Sequence, residues 1–371
     1  MERWDVAVVG AGPAGCATAA SVHRRWPAAR VVVLDRAAFP RDKACGDGIA
    51  YEATEALGEL GFSVPDLVRG FPPLRHLELR APGGPTVARP MRREVHVVPR
   101  RVFDARLVEQ LRDFGVEVRR HDVRDLRIGA AGVEVDGRIR ADVLVGADGA
   151  NSVVRQALRP RQRRRDVALA IRGYGPELPG QDGVQLIAMS NRRWPAYAWS
   201  FPLGDGRANL GYGEHLGSTP LTLADLRQRM AELLPGATSD LTAVRGHHLP
   251  LTTSRPDVPD GRVLLAGDAQ SLVNPVTGEG IFYAVVSGAL AGQAAGETGD
   301  PGRAYGRLLQ RTLGRHFRHT TALARFSRWP ALVDAGVRAA AADQRVFDDL
   351  VDLGLADGRI TARTVARLRW H

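Results

Sequence analysis

The sequence has very little lysine and cysteine and no long apolar run. Only Lys43 is a lysine among 51 basic residues, so almost all of the positive charge is arginine. The two cysteines, Cys16 and Cys45, are too few for the disulfide framework of a small secreted domain. Because no run of about 18 apolar residues occurs, we expect no transmembrane helix.

Composition and charge set further bounds. A chain of 371 residues with 44% hydrophobic and 25% charged residues is typical of a globular protein of two or three domains. The first residues lead directly into an apolar run, which leaves no room for a signal peptide, so we expect a cytoplasmic protein. The net charge of +10 is densest at residues 159–165. Without a nucleic-acid motif nearby, this run is interpreted as a solvated loop between domains, with no nucleic-acid partner.

The first motif is a glycine-rich turn between an apolar strand and a helix of small residues. Residues 10–15 read Gly-Ala-Gly-Pro-Ala-Gly. Gly10 suits a tight turn, Gly12 allows close approach of phosphates, and Gly15 allows the helix to pack on the strand. Asp35 ends the next strand, where a carboxylate can accept from ribose hydroxyls. This order of elements predicts a dinucleotide-binding unit.

A loop at residues 36–49, rich in glycine and proline, follows and is expected to cross the cofactor. Arg41 and Lys43 are expected to face phosphate or the negative charge of a reduced ring, and to favour the thiolate of Cys45. The alternative is a buried, inert cysteine. A helix is predicted at 51–61, and strands are predicted between 74 and 98. A further helix is predicted to open with Pro99, and Arg101 near its start is placed to reach the cofactor.

Two later strands also end in Gly-Asp corners, at Asp148 and at Asp268. In a doubly wound sheet such corners lie around one ligand crevice. The segment 275–280 leads into a helix, whose first N–H groups at 280 and 281 are expected to face negative charge.

Residues 160–257 read mainly as strands, with one helix predicted at 223–234. Alternate residues of a strand point the same way, so Tyr197, Trp199 and Phe201 are predicted to line one face. Such aromatics are usually core, and the alternative is a substrate wall.

The part after residue 304 is predicted to be helical. Its amphipathic, arginine-rich surface is expected to pack on the enzyme as a cap, and a peripheral contact with the inner face of a membrane is left open.

Together, residues 10–15 with Asp35, 146–149 and 267–268 resemble the FAD-dependent enzymes of the p-hydroxybenzoate hydroxylase and glutathione reductase type. The resemblance spans about the first 295 residues. It implies one extended FAD, with its adenine end near Val123 and its isoalloxazine ring beside Asp268. The cofactor contacts expected on this basis are Gly10, Gly12, Pro13, Ala14, Gly15, Asp35, Arg36, Arg41, Cys45, Gly46, Arg101, Val123, Asp148, Gly267, Asp268, Gly278, Gly280 and Ile281.

Three narrower patterns resemble the geranylgeranyl reductase family. They are residues 40–48, the alternating aromatics 197, 199 and 201 followed by a proline, and residues 275–288. The resemblance implies that Tyr197, Trp199 and Phe201 hold an isoprenoid substrate and that Cys45 lies at the flavin as the catalytic residue. The sequence departs from many archaeal members at Asp47, where they have glycine, and in its short, arginine-rich C-terminal part. The identity of the substrate therefore stays open.

The predicted fold class is α/β. A Rossmann-like FAD-binding domain of the p-hydroxybenzoate hydroxylase and glutathione reductase type comprises residues 1–73, 96–158 and 258–300. A mainly-β substrate domain is inserted as residues 74–95 and 159–257, and residues 301–371 form a C-terminal helical cap. The oligomeric state is not predicted, and no metal is expected.

The leading functional hypothesis is reduction of an isolated carbon–carbon double bond in a prenyl chain. Reduced FAD would deliver a hydride from N5 to one carbon, and Cys45 or a nearby water would protonate the other. No second glycine fingerprint is present, so NAD(P)H would reduce the flavin as a transient visitor, or another donor would serve.

Three alternatives stay open at this point. The same fold supports an FAD-dependent monooxygenase acting on an aromatic or polyketide-type intermediate. A flavin halogenase is disfavoured, because it needs an active-site lysine and only Lys43, on a cofactor loop, is present. The third is a flavoprotein that binds a lipid or a partner without turnover.

Overall fold

The computed structural model describes residues 1–129, 131–158, 167–181, 183–192, 196–217, 221–327 and 329–361. The arginine-rich run at 159–165 and the residues Trp194 and Pro195, beside the predicted aromatic strand, lie outside the described residues.

The described strands form two sheets. They are β1 (Glu2–Val9), β2 (Val31–Asp35), β3 (Gly48–Ile49), β4 (Pro73–Arg80), β5 (Thr86–Val97), β6 (Glu117–Arg120), β7 (Leu126–Gly129), β8 (Gly132–Val135), β9 (Ile139–Gly146), β10 (Val167–Pro176), β11 (Gln185–Met189), β12 (Ala196–Pro202), β13 (Arg207–His215), β14 (Thr242–Pro250) and β15 (Val263–Leu265). The described helices are α1 (Pro13–Arg25), α2 (Tyr51–Glu59), α3 (Val64–Val68), α4 (Arg100–Asp113), α5 (Val153–Ala157), α6 (Leu223–Leu233), α7 (Ile281–Ala295), α8 (Pro301–Thr312), α9 (Gly314–Phe326), α10 (Pro330–Ala342) and α11 (Gln344–Leu355).

The smaller sheet has the order β6-β2-β1-β9-β8-β7, with β15 also paired to β9. Its strands β6, β2, β1, β9 and β15 are parallel, and β7 and β8 form an antiparallel hairpin beside them. The middle strand β1 is apolar and buried at residues 6–9, as expected for a parallel strand that is covered on both faces. The carboxyl ends of β1, β2, β9 and β15 therefore meet at one edge, which confirms the predicted Rossmann-like arrangement.

Helix α1 packs against α7 on one face of this sheet. The contact is close because small residues face one another. A Cβ on Gly288 of α7 would lie 3.0 Å from the carbonyl carbon of Ala14, and a Cβ on Gly292 would lie 2.6 Å from Cβ of Ser21. At the start of α1, a Cβ on Gly15 would overlap the carbonyl group of Gly10 in the turn after β1. The two helices thereby hold their N-terminal ends at the same edge of the sheet.

The larger sheet has the order β14-β10-β13-β12-β11-β4-β5-β3. It combines β4 and β5, which precede residue 98, with the strands that follow residue 166, through the parallel pair β11 and β4. Helix α6 packs against β10, β12 and β13. Helices α10 and α11 pack on the sheet near β5, where Val337 and Phe347 join a core with Leu77 and Val95. The described C-terminal helices are thus a packed part of the molecule, as predicted, while residues 362–371 of the predicted helical part lie outside the described residues.

Among the described residues, no helix has both the length and the apolar composition that crossing a membrane requires.

Candidate active site

A cavity of about 1080 Å³ lies between the two sheets. Its walls come from the carboxyl edge of the smaller sheet, the loop at 41–48, strand β12 and helices α9 to α11. Ligand cavities commonly measure roughly 300 to 1,000 Å³. This cavity slightly exceeds that range, as a site for a large ligand would.

The turn after β1 forms one end of the cavity. Gly10 has a φ of 102°, a conformation that favours glycine. The carboxylate of Asp35, at the end of β2, accepts hydrogen bonds from the backbone N–H groups of Ala11 at 2.8 Å and Ala37 at 2.9 Å. An ionised carboxylate has about four acceptor positions. Asp35 therefore keeps acceptors for the hydroxyl groups of a ligand.

Two arginines and one aspartate lie beside Gly12, where α1 begins. Helix α1 has no side-chain cap, so its first N–H groups remain available to an anion. Arg100 donates two hydrogen bonds to Asp104, at 2.6 and 2.8 Å, and Arg41 pairs with the same carboxylate at 2.9 Å. A Cβ on Gly12 would lie 3.5 Å from the Arg41 guanidinium and 3.9 Å from that of Arg100. Arg41 and Arg100 thus place two guanidinium groups at this helix end, where Asp104 and, 4.0 Å from Arg41, Asp35 offset part of their charge.

The arginine of α4 that lines the cavity is Arg100, whereas the sequence predicts Arg101. Arg100 is 3% exposed, but Arg101 is exposed and is not among the cavity-lining residues. Successive side chains of a helix point about 100° apart. Arg100 points toward Asp104, one helical turn further on, and Arg101 consequently points away.

Lys43, the single lysine, is paired with Asp268 in the turn after β15. Its Nζ lies 3.0 Å from Oδ2 of Asp268, and Nε2 of His247 lies 3.8 Å from the same oxygen. Burial opposes ionisation of Asp268, but Lys43 and His247 outweigh burial, so the pKa of this carboxyl lies well below its usual range. Lys43 is thus fixed as a counter-ion at the cavity wall.

The corner after β9 is joined to the corner after β15. Asp148 accepts from the backbone N–H of Val153 at 2.7 Å through Oδ2, while its Oδ1 is buried without a partner among the described residues. Arg155 donates to the backbone carbonyls of Asp268 at 3.0 Å and Ala269 at 3.1 Å. Asp148 lines the cavity and therefore offers a free acceptor to a ligand.

Asp47 anchors the cavity loop to the larger sheet. It is fully buried, and its Oδ2 accepts from the Tyr174 hydroxyl at 2.5 Å and from the Asn209 side-chain amide at 2.8 Å. Burial raises the pKa of Asp47 to about 6, against the effect of these hydrogen bonds. Asn209 also donates to the carbonyl of Cys45 at 2.9 Å and accepts from the Trp199 indole at 2.9 Å. One amide thus fixes the loop relative to the aromatic strand β12.

The thiol of Cys45 lines the cavity. Burial raises the pKa of Cys45, although the charge of Arg100 acts in the opposite direction. Lys43 is engaged with Asp268 and Arg41 with Asp104. Burial therefore prevails over the basic setting of the loop, and Cys45 carries its proton at neutral pH.

Glu279 lies in the turn before α7 and also lines the cavity. Its Oε1 accepts from the backbone N–H of Phe282 at 2.9 Å. Burial raises the pKa of Glu279 to about 7, although N–H groups at the start of α7 act in the opposite direction. Burial raises the pKa values of Cys45 and Tyr197, which line the same cavity, and the charge of Glu279 adds to that rise. Sequence reasoning missed Glu279. The available signal was an acidic residue inside a glycine-rich turn.

Strand β12 forms the aromatic wall that the sequence predicts. Tyr197, Trp199 and Phe201 all line the cavity, with ring centroids 5.9 and 6.3 Å apart along the strand. The Tyr197 hydroxyl donates to the carbonyl of Thr277. Beyond this wall the cavity is apolar. The side chains there include Leu77, Leu79, Val95, Ile187, Met189, Val333, Val337, Leu350, Val351 and Leu355.

Most of the residues predicted for the site line this one cavity. They are Gly10, Gly12, Pro13, Ala14, Asp35, Arg36, Arg41, Cys45, Gly46, Val123, Asp148, Asp268, Gly278, Gly280, Ile281, Tyr197, Trp199 and Phe201. Gly15, Gly267 and Arg101 are not among the lining residues. Gly15 instead serves the close packing of α1 described above.

The residues present fit an extended FAD. The uncapped start of α1 with Arg41 and Arg100 suits a pyrophosphate, since it combines N–H donors and positive charge. Asp35 on one side and the unpartnered oxygen of Asp148 on the other supply acceptors for sugar and ribityl hydroxyls. Among the described residues, no group of acidic, histidine or cysteine side chains could hold a metal ion.

Comparison with known proteins also indicates an FAD-binding protein. Residues 3–292 match the family model described as FAD binding domain. The chain is 34% identical over 348 residues to menaquinone reductase of Mycolicibacterium smegmatis, covering 85% of this chain and 82% of that protein. It is 32% identical over 329 residues to digeranylgeranylglycerophospholipid reductase 1 of Methanopyrus kandleri, covering 80% and 81%. A geranylgeranyl bacteriochlorophyll reductase-like protein of Thermoplasma acidophilum shares the fold, with a TM-score of 0.81 at 18% identity over 99% of this chain and 96% of that one.

Proposed function

This chain belongs to the geranylgeranyl reductase family of FAD-dependent oxidoreductases, and on that premise we propose that it reduces isolated carbon–carbon double bonds in the prenyl chain of a lipid. The observation that carries the proposal is the continuity of the cavity. One space joins the FAD-binding edge of the smaller sheet to an apolar chamber under α10 and α11. An extended hydrocarbon chain suits that chamber, since its wall is almost entirely aliphatic and aromatic.

The names of two relatives support the same class of substrate. Digeranylgeranylglycerophospholipid and menaquinone differ in their head groups, and both carry prenyl chains. One reaction that would suit both substrates is reduction of a double bond within the prenyl chain. We therefore propose a prenyl lipid with a polar head as the substrate, with the head group left to experiment.

The chain's own residues position the substrate and hold the proton. When bound and reduced, FAD supplies a hydride. Tyr197, Trp199 and Phe201 would hold the prenyl chain beside the loop at 41–48. Because an isolated alkene accepts hydride poorly, an acid must protonate the second carbon. Cys45 keeps its proton at neutral pH, and the carboxyl of Glu279 is the stronger acid of the two. We propose that Glu279 supplies the proton and that Cys45 lies against the reacting bond.

The electron donor proposed for the enzyme is NAD(P)H, acting as a transient visitor. The sequence has one glycine fingerprint of the dinucleotide-binding type, and the residues around it are those that fit FAD. A nicotinamide nucleotide would then have to approach the flavin without a domain of its own. The enzyme is proposed to work in the cytoplasm, where this donor is available.

The decisive experiment is mass spectrometry of candidate lipids after anaerobic reaction with the reduced holoenzyme. A prenyl quinone and a prenyl phospholipid are each expected to gain two hydrogen atoms. The samples are then opened to air before analysis, because a quinol loses its two hydrogens to oxygen whereas a reduced chain keeps them. A gain that disappears in air would assign the reaction to the quinone ring and contradict the proposal.

The same assay separates the reductase from a monooxygenase. Repeating it in air with reduced enzyme would add one oxygen atom to the substrate if the protein were a hydroxylase. Halogenation is disfavoured by the position of Lys43, whose ammonium group is paired with Asp268. An unchanged flavin spectrum and unchanged lipid masses with every alkene would favour binding without turnover.

Replacing Cys45 with serine is expected to lower the rate of double-bond reduction about tenfold, with FAD still bound. Serine keeps the size of the side chain, and the backbone carbonyl at 45 still accepts from Asn209. The polar hydroxyl, however, replaces an adaptable sulfur against the alkene. The rate of flavin oxidation by a prenyl substrate measures the effect. A variant with full activity would remove Cys45 from the mechanism.

A further inference from the structure

Three large apolar side chains are exposed together where α9 ends and α10 begins. Phe326, Trp329 and Leu332 are 53%, 59% and 41% exposed, and the rings of Phe326 and Trp329 lie 6.0 Å apart. They account for three of the seven most exposed large hydrophobic side chains among the described residues. These three residues are called the rim surface. Clustered exposed apolar side chains commonly mark a contact site.

The rim surface is continuous with the apolar end of the cavity. Phe326 and Leu332 belong to the rim surface and also line the cavity. Behind them, Leu323 and Val333 continue the lining inward. A ligand that leaves the apolar chamber at this point therefore meets hydrocarbon side chains outside as well as inside.

The chain around the rim surface is strongly cationic. Residues 301–333 contain seven arginines, at 303, 307, 311, 315, 318, 325 and 328, and no Asp or Glu. Within the part of the chain that the structure describes, Arg303 pairs with Asp260, while those at 307, 311, 315, 318 and 325 are exposed and make no ion pair. Arg318 and Arg325 are seven residues apart and so lie on one face of α9. Phe326 directly follows the second of them.

We propose that the rim surface docks on a bilayer containing anionic lipid, with Phe326, Trp329 and Leu332 entering its interfacial layer and the α9 arginines facing lipid phosphates. Tryptophan is favoured at membrane interfaces, and arginine gains from the negative surface potential of anionic lipid. The statement that the molecule entering the cavity is a lipid rests on the proposed function. The docking of the rim surface on a bilayer does not depend on it. A water-insoluble chain would pass from the bilayer into the chamber without crossing water.

The test is co-sedimentation of the FAD-loaded full-length protein with vesicles. One set contains phosphatidylcholine with about a third phosphatidylglycerol, and the other phosphatidylcholine alone. The test variant is R318Q/R325Q/W329S, none of whose positions lines the cavity. The matched control is R24Q/R25Q/W26S, which removes the same residue types from the exposed end of α1, where Trp26 is 40% exposed.

The protein is expected to pellet with the anionic vesicles and much less with phosphatidylcholine alone. The test variant should bind the anionic vesicles about tenfold more weakly, and the control should bind within twofold of the parent. Raising the salt concentration should release the protein, because salt screens the arginine contacts. Equal binding by test variant and parent, or no binding to either kind of vesicle, would overturn the proposal.

Two further outcomes would assign the rim surface to another occupant. If the parent elutes as a dimer and the test variant as a monomer, and neither binds vesicles, the surface joins two copies of the chain. If deletion of residues 362–371 abolishes vesicle binding and the test variant retains it, the docking element is the tail. An air-stable gain of two hydrogen atoms in a detergent-solubilised prenyl quinone or prenyl phospholipid reports the proposed function separately. Vesicle binding without that reaction would leave the docking intact and contradict the proposed function.

Discussion

Replacing Glu279 with glutamine is expected to lower the rate of double-bond reduction about 100-fold, while FAD stays bound. Glutamine keeps an oxygen that accepts from the Phe282 N–H, at 2.9 Å in the parent, so the start of α7 is preserved. What it removes is the acidic proton. A positioned general acid typically contributes about 10² to 10⁴ in rate. The measurement is flavin oxidation by a prenyl substrate in a single anaerobic turnover.

The pH dependence distinguishes proton supply from a structural role. Burial raises the pKa of Glu279 to about 7. In the proposed mechanism the protonated form is the donor. The rate in the parent protein should therefore fall as the pH rises through about 7, and this fall should be absent in E279Q. Replacing Glu297 with glutamine is the matched control, because Glu297 is exposed just beyond α7. An unchanged pH profile in E279Q would show that another group supplies the proton.

The parts of the site that the sequence predicts are those fixed by local structure. The turn at residues 10–15 depends on glycine positions within one strand-turn-helix unit, and Asp35 depends on the end of the next strand. The aromatic wall follows from strand geometry, because residues 197, 199 and 201 share a face in any strand. The parallel order of strands then brings the corners at Asp148 and Asp268 to one edge.

The parts that the sequence does not predict depend on tertiary contacts or on the phase of a helix. Which of Arg100 and Arg101 points into the cavity depends on how α4 is rotated about its axis. The position of the first residue of the helix does not determine that rotation. In the sequence, Asp47 is only a departure from a family pattern. Its role as an anchor depends on hydrogen bonds from Tyr174 and Asn209, which lie more than 120 residues away in the chain. The raised pKa of Glu279 arises from burial that only the folded chain produces.

The exposure of the rim surface is another feature that the sequence does not predict. The amphipathic pattern of residues 304–326 predicts helices that pack as a cap, and they do pack. The same pattern does not reveal which apolar side chains stay exposed after packing. Phe317 is 4% exposed and Phe326 is 53% exposed, although both are aromatic residues of α9. That difference comes from the neighbours of each residue in the fold.

Replacing Arg100 with alanine is expected to weaken FAD binding by at least 100-fold. The substitution removes a buried guanidinium beside Gly12 and leaves the buried carboxylate of Asp104 with Arg41 alone. Truncating one partner of a buried, hydrogen-bonded charge pair between two binding partners costs about 2 to 5 kcal/mol of binding free energy. Loss of the Arg100–Asp104 pair separately costs about 3 to 5 kcal/mol of folding free energy. Flavin release, followed by its fluorescence, and titration of the apoprotein with FAD measure the effect.

Arg101→Ala is the matched control, because it removes the same side chain from the next position of α4, where it is exposed. This control should bind FAD as the parent does. Since R100A also weakens the fold, Arg100→Lys provides a second variant. Lysine keeps the positive charge near the start of α1 but cannot make the two parallel hydrogen bonds to Asp104. We expect R100K to fold and to bind FAD about tenfold more weakly. If R101A lost FAD and R100K kept full affinity, the pyrophosphate would lie on the other side of the turn at Gly12.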